Sequence, residues 1–160
     1  MQTLSLALVE DCWLEICGLT PALEAELMSR FRQAQPALFG FLRAAQEATF
    51  QGEDRGCLLL YGLWVWLAFH KAHGTTREIT EDDIERALSA NERHIAELHA
   101  AGGPLMDKAA GWTSTYAQMP LLAAIINRAM EGDLEEGRRV DDLLGVLILY
   151  LKTAIDCFQK

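Results

Sequence analysis

The sequence predicts an all-α fold of about eight helices, grouped as two similar four-helix units in a compact array or bundle. Three observations carry this expectation. The long segments place apolar residues at helical spacing, and no run alternates as a convincing strand would. The four prolines, Pro21, Pro36, Pro104 and Pro120, each stand where a helix can start. The chain also echoes itself. Its first two prolines are 15 residues apart and its second two 16, with an offset of 83 to 84 between the pairs. Pro36 opens PALFGFLRAAQE and Pro120 opens PLLAAIINRAME. Each line leads to a glycine in a dense apolar run, Gly62 in LYGLWVWL and Gly145 in LLGVLILYL, 26 and 25 residues beyond its proline. The expectation is an ancient duplication, with repeat units 1–79 and 80–160 inside one domain spanning 1–160.

The elements follow in order. Leu6, Val9, Trp13 and Ile16 give one face to a first helix over 4–17, ended by Gly18. Thr20 caps a second helix whose first position is Pro21, where the missing N–H sacrifices no bond. Its inner stripe is Leu23, Leu27 and Phe31. A third helix starts at Pro36, with Leu38, Phe41, Leu42 and Ala45 on one side. GEDRG makes a turn, and a fourth, strongly apolar helix runs from Cys57 to about Ala72. Its tail HKAH puts titratable groups at the negative end of the helix dipole.

Thr80 caps the fifth helix, and Glu81, Asp82 and Asp83 occupy its first turn, where the dipole favours acids. Asp83 holds the capping-box position. Ile84, Leu88, Ile95 and Leu98 face inward, and Gly102 and Gly103 stop the helix. A sixth helix is expected from Pro104 through Trp112 and Tyr116, and a seventh from Pro120 to near Gly132. GDLEEG reads as a surface turn, and the eighth helix runs from about Arg138 to Phe158.

Bulk composition narrows the function classes. Hydrophobic residues form 51% of the 160, enough for a core that needs no disulfide or metal staple. The four cysteines, Cys12, Cys17, Cys57 and Cys157, are scattered, and with no secretory segment at the start they suggest a reducing, cytoplasmic setting. The net charge is −9, split as −3 over residues 1–79 and −6 over the rest. No basic patch exists, so neither nucleic acid nor an anionic membrane surface is an expected partner. The longest uncharged apolar runs, 57–69 and 143–151, are too short to span a bilayer and read as helices buried nearly all round.

Few residues suggest chemistry. His70 and His73 share a helix face, but a metal would need further ligands, so no metal or cofactor is expected. His94 and Glu97 reverse the acid-first order of di-iron bundles. Asp156, with Lys152 one turn before it, reads as the solvated edge of an amphipathic helix. The polar-aromatic stretch around Trp112, Tyr116 and Gln118 suits core packing, an interface or a ligand pocket. Trp112, Tyr116, Gln118, His70 and His73 are therefore the candidate binding residues, and no catalytic residue is named. The expected function is a non-enzymatic cytoplasmic module that binds a protein partner or itself, with a homodimer as the expected form. The alternative is a small-molecule-binding or enzymatic protein with a pocket between the units.

Overall fold

Small polar caps and prolines set where the helices of this chain begin. The computed structural model describes residues 2–49, 57–100, 116–136 and 140–159. Every regular element among them is a helix: α1 (Leu6–Cys17), α2 (Pro21–Ala34), α3 (Pro36–Thr49), α4 (Cys57–His73), α5 (Glu81–Ala100), α6 (Met119–Glu136) and α7 (Val140–Phe158). Ser5 caps α1 by accepting from the Leu8 N–H at 3.3 Å. Thr20 caps α2 in the same way, from Leu23 at 3.4 Å, with Pro21 in the first turn. At α5 the capping box closes in both directions: Asp83 N–H donates to Thr80 Oγ1 at 3.3 Å, and Thr80 N–H donates to Asp83 Oδ2 at 3.2 Å. Arg77 also donates to Asp83, at 2.7 Å, and this bond, with the Thr80 amide, holds the carboxyl well below the usual carboxylate range.

Two boundaries differ from expectation. The expected sixth helix falls largely outside the described residues, and Tyr116 itself is not helical: Ala117 and Gln118 form a turn into α6. GDLEEG is not wholly a turn, because α6 continues through Gly132 to Glu136. A single glycine costs a helix only about 1 kcal/mol, which the neighbouring helix formers absorb.

The core is organised by α4, which meets α1, α2, α3 and α7. Tyr61 through Phe69 are all buried. Trp64 and Trp66 lie on opposite sides of the helix axis and are 0% and 2% exposed. Trp64 donates from Nε1 to the Val9 carbonyl at 2.8 Å and packs its ring 4.6 Å from that of Trp13. Trp66 lies between Phe31 and His70, at ring distances of 5.5 and 5.2 Å. One tryptophan thus fastens α4 to α1 and the other to α2. Gly62 brings α3 close. A Cβ at that position would stand 2.4 Å from Leu42 Cδ1. Gly145, its sequence counterpart, faces open space, so the matched glycines do not share a packing role.

The two apolar helices touch, as their composition suggests, with Phe69 stacked on Phe158 at 4.9 Å. Burial in α7 is displaced from the expected run, however. Gly145 is exposed, Val146 and Ile148 to Tyr150 are half-buried, and the continuous buried stretch is Leu151 to Ile155. The C-terminal half of α7 is where the partners sit: Asn91 of α5 bonds Thr153, and Phe158 meets α4. Replacing Leu63 or Leu147 with Ala should destabilise the chain by about 2–5 kcal/mol in denaturant melts, the usual cost of a core cavity. Losses below about 1 kcal/mol at both positions would contradict this packing.

Candidate functional site

A cluster of buried and half-buried polar groups forms where α5, α7 and the turn before α6 meet. The i, i+4 spacing of α7 puts Lys152 and Asp156 on one face, and the ammonium donates to Asp156 Oδ2 at 2.5 Å. Lys152 also donates to Asn91 Oδ1 at 2.6 Å. Asn91 spends its amide hydrogens on Thr153 Oγ1 at 3.2 Å and Asp156 Oδ2 at 3.0 Å. Thr153 returns its hydroxyl to the Leu149 carbonyl. The Tyr116 hydroxyl donates to Asp156 Oδ1 at 2.7 Å and receives Gln159 Nε2 at 3.2 Å. Lys152 Nζ stands 4.8 Å from the Tyr116 ring centroid, within cation–π range.

Lys152 and Asn91 are buried, and Tyr116 and Asp156 are partly so. Burial pushes the Tyr116 phenol far above its ordinary value, and the charge of Asp156 and the hydrogen bond to it add to the effect. The phenol therefore stays protonated and acts as a donor. Both Asp156 oxygens and all the polar atoms of Asn91 are engaged. A set of groups that satisfy one another inside a protein fixes a geometry, since leaving any member unpaired is costly. This arrangement joins three separated stretches of chain through one ion pair.

The sequence candidates scatter. Tyr116 belongs to the cluster. Gln118 is fully buried beside the start of α6, and its amide holds Gln2 and Leu4 instead of facing a cavity. His70 is half-buried against Trp66, and His73 is exposed with its ring 6.2 Å from that of Phe69. Trp112 lies outside the described residues. No group of acids, histidines and cysteines with metal-holding geometry occurs among the described residues. Cys12 is buried, and burial pushes its thiol up to about 11, so it is not a thiolate near neutral pH. An open depression of about 440 Å³ along α5 is lined by Asp82, Glu85, Arg86, Ser89 and Arg93, which mix both signs of charge.

Asp156 is thus not the solvated edge expected for it. An acid and a base one turn apart within YLKTAIDCF were the available signal: opposite charges inside an apolar helix end imply that each is the other's partner. Asn91 carried no signal at all, because it lies in an ordinary polar stretch of α5. No protein-family model, no curated protein and no solved structure matches the chain.

The ion pair yields a double-mutant test. Asp156→Ala leaves a buried ammonium with less compensation and should cost about 3 kcal/mol by denaturant unfolding. Replacing both partners, Lys152→Met with Asp156→Leu, should recover part of that loss. A double variant less stable than Asp156→Ala would contradict the account.

Proposed function

We propose that this chain is a non-enzymatic, cytoplasmic helical module whose business is protein–protein contact, with a second copy of itself as partner. The observation that carries this reading is the outer face of α1. Leu6 and Leu14 are 57% and 63% exposed, and Leu23, at the start of α2, is 50% exposed. Leu6 and Leu23 thus depart from the inner faces expected for them, the buried sides being Val9, Cys12 and Ile16 in α1 and Leu27 and Phe31 in α2. At about 100° per residue, Leu6, Cys17, Leu14 and Ala7 fall within an arc of about 100° around α1. All four are exposed. Glu10 lies inside that arc and is already drawn toward Arg128 at 3.6 Å. The opposite face, Val9, Cys12 and Ile16, is buried in the core.

An amphipathic helix needs only one apolar stripe to dock on its own core. Two leucines on the far side are not needed for that docking, and we read them as part of an apolar surface that meets a partner. A two-fold pairing of α1 with its copy would bring like stripes together, as an isologous interface requires. The buried cluster supports the same reading from the other side, since its polar atoms are directed at one another. No helix among the described residues is long and apolar enough to cross a membrane, so the exposed leucines are not part of a span.

Sedimentation at micromolar concentration tests the proposal. The expected result is a dimer that Leu6→Glu with Leu14→Glu converts to a monomer that keeps its helical signal, since both side chains are exposed in the single chain and only the stabilisation linked to dimerisation is lost. A single species near 17.8 kDa across a dilution series of the unmodified chain would contradict it.

A further inference from the structure

Two buried glutamines grip the chain in the same manner. Gln118, just before α6, accepts the Leu4 N–H through Oε1 and donates from Nε2 to the Gln2 carbonyl, both at 3.1 Å. Gln35, just before α3, accepts the Ile79 N–H through Oε1 at 2.8 Å and donates from Nε2 to the Arg77 carbonyl at 2.9 Å. Both glutamines are fully buried. In each case the amide spans the carbonyl of one residue and the N–H of the second residue after it. Those two groups point to the same side of an extended chain, and a carboxamide offers the matching donor and acceptor.

The gripped segments correspond further. Their third residue is a buried aliphatic, Leu4 or Ile79. Their fourth is a hydroxyl N-cap, Ser5 or Thr80, which accepts the N–H three residues on, from Leu8 or Asp83, at 3.3 Å in both. The grips are crossed: Gln35 holds the segment that leads into α5, and Gln118 holds the segment that leads into α1. Gln118 follows Gln35 by 83 positions, the offset seen between Gly62 and Gly145, and the gripped segments are separated by 75.

The helix contacts respect the same exchange. With α1 matched to α5, α3 to α6 and α4 to α7, the α1–α4 contact maps onto α5–α7, α3–α4 onto α6–α7, and α1–α6 onto α5–α3. The α4–α7 contact maps onto itself. The α3–α7 contact lacks an equally extensive α4–α6 counterpart.

We propose that Gln35 and Gln118 are two copies of one docking site that duplicated with the units. The ligand class of this site is an extended main chain with an aliphatic residue at its third position and Ser or Thr at its fourth. Residues 2–5 occupy the Gln118 copy and residues 77–80 the Gln35 copy, each copy belonging to the opposite half of the chain. Each amide bonds the main chain at the same two positions, Gln35 adding a bond to Thr76 Oγ1 at 3.3 Å, and only the third side chain is buried, so each site accepts the other's occupant. The proposal stands whether or not a second copy of the chain binds α1.

A transplant in the full chain tests it. Gln2→Arg, Thr3→Glu and Leu4→Ile together install the sequence of residues 77–79 at residues 2–4. The readout is amide hydrogen exchange at position 4, compared with Gln118→Ala and with Leu4→Asp. The transplant should keep protection within roughly threefold of the parent. Gln118→Ala should lower it by roughly tenfold, the effect of about one hydrogen bond. A transplant that loses as much protection as Gln118→Ala would overturn the proposal, and so would unchanged protection in Gln118→Ala. Should Gln118→Ala fail to fold, Leu4→Asp serves in its place: protection lost at position 4 and kept in α4 is expected, and protection unchanged at position 4 would overturn the proposal.

Discussion

From Leu58 to Phe69 helix α4 has no polar face, and the rest of the structure depends on covering it. Its tryptophans point to opposite sides, and neither reaches solvent. No single neighbouring layer can bury both, so α1, α2, α3 and α7 must surround it. Each large side chain carries roughly 1.5–3 kcal/mol of burial, which makes this enclosure the main driving force for folding. Gly62 shows how tight the enclosure is: the α3 leucine lies where a Cβ would stand. The helices left to the outside then carry the charges, with an excess of acids.

Enclosing an apolar helix on every side forces backbone and polar side chains indoors as well. Trp64 Nε1 finds the Val9 carbonyl, whereas Trp66 Nε1 is buried without a hydrogen-bond partner among the described residues; three further devices handle many of the rest. Gln35 and Gln118 satisfy main-chain groups ahead of α5 and α1 that no helix can reach. Gln46 does likewise for the Leu59 N–H near the start of α4. The Lys152–Asp156 pair, with Asn91 and Tyr116, ties α7 to α5 and to the turn before α6. Each device is specific in geometry, so together they select one packing among the many that hydrophobic burial alone would allow.

Much of the fold was legible because it rests on local rules. Pro21, Pro36 and Pro120 in first turns, the Thr20 and Thr80 caps, and the acids in the first turn of α5 marked helix starts correctly, whereas the Ser5 cap went unread. The apolar run at 57–69 announced a central helix. The apolar run at 143–151 misled, because composition reports what a helix can bury and not which neighbours reach it. The polar interior was least legible. A buried glutamine and an exposed one look alike in sequence. Gln118 stood out only through its aromatic neighbours, and Gln35 did not stand out at all. Asp156 looked solvated because its decisive partners, Asn91 and Tyr116, are 65 and 40 positions away.

The exposed leucines of α1 carry the proposed role of the chain. They lie outside the core that α4 and its neighbours fill, and the proposal takes them as the contact surface for a partner. That argument rests on α4 being the most protected element of the chain. Native-state hydrogen exchange, resolved by residue, measures this directly. The account predicts that amides in 61–69 exchange slowest, opening only with global unfolding, while those of α2 and the exposed end of α5 open locally. Faster exchange in α4 than in α1 or α5 would contradict it, and would place the organising core elsewhere.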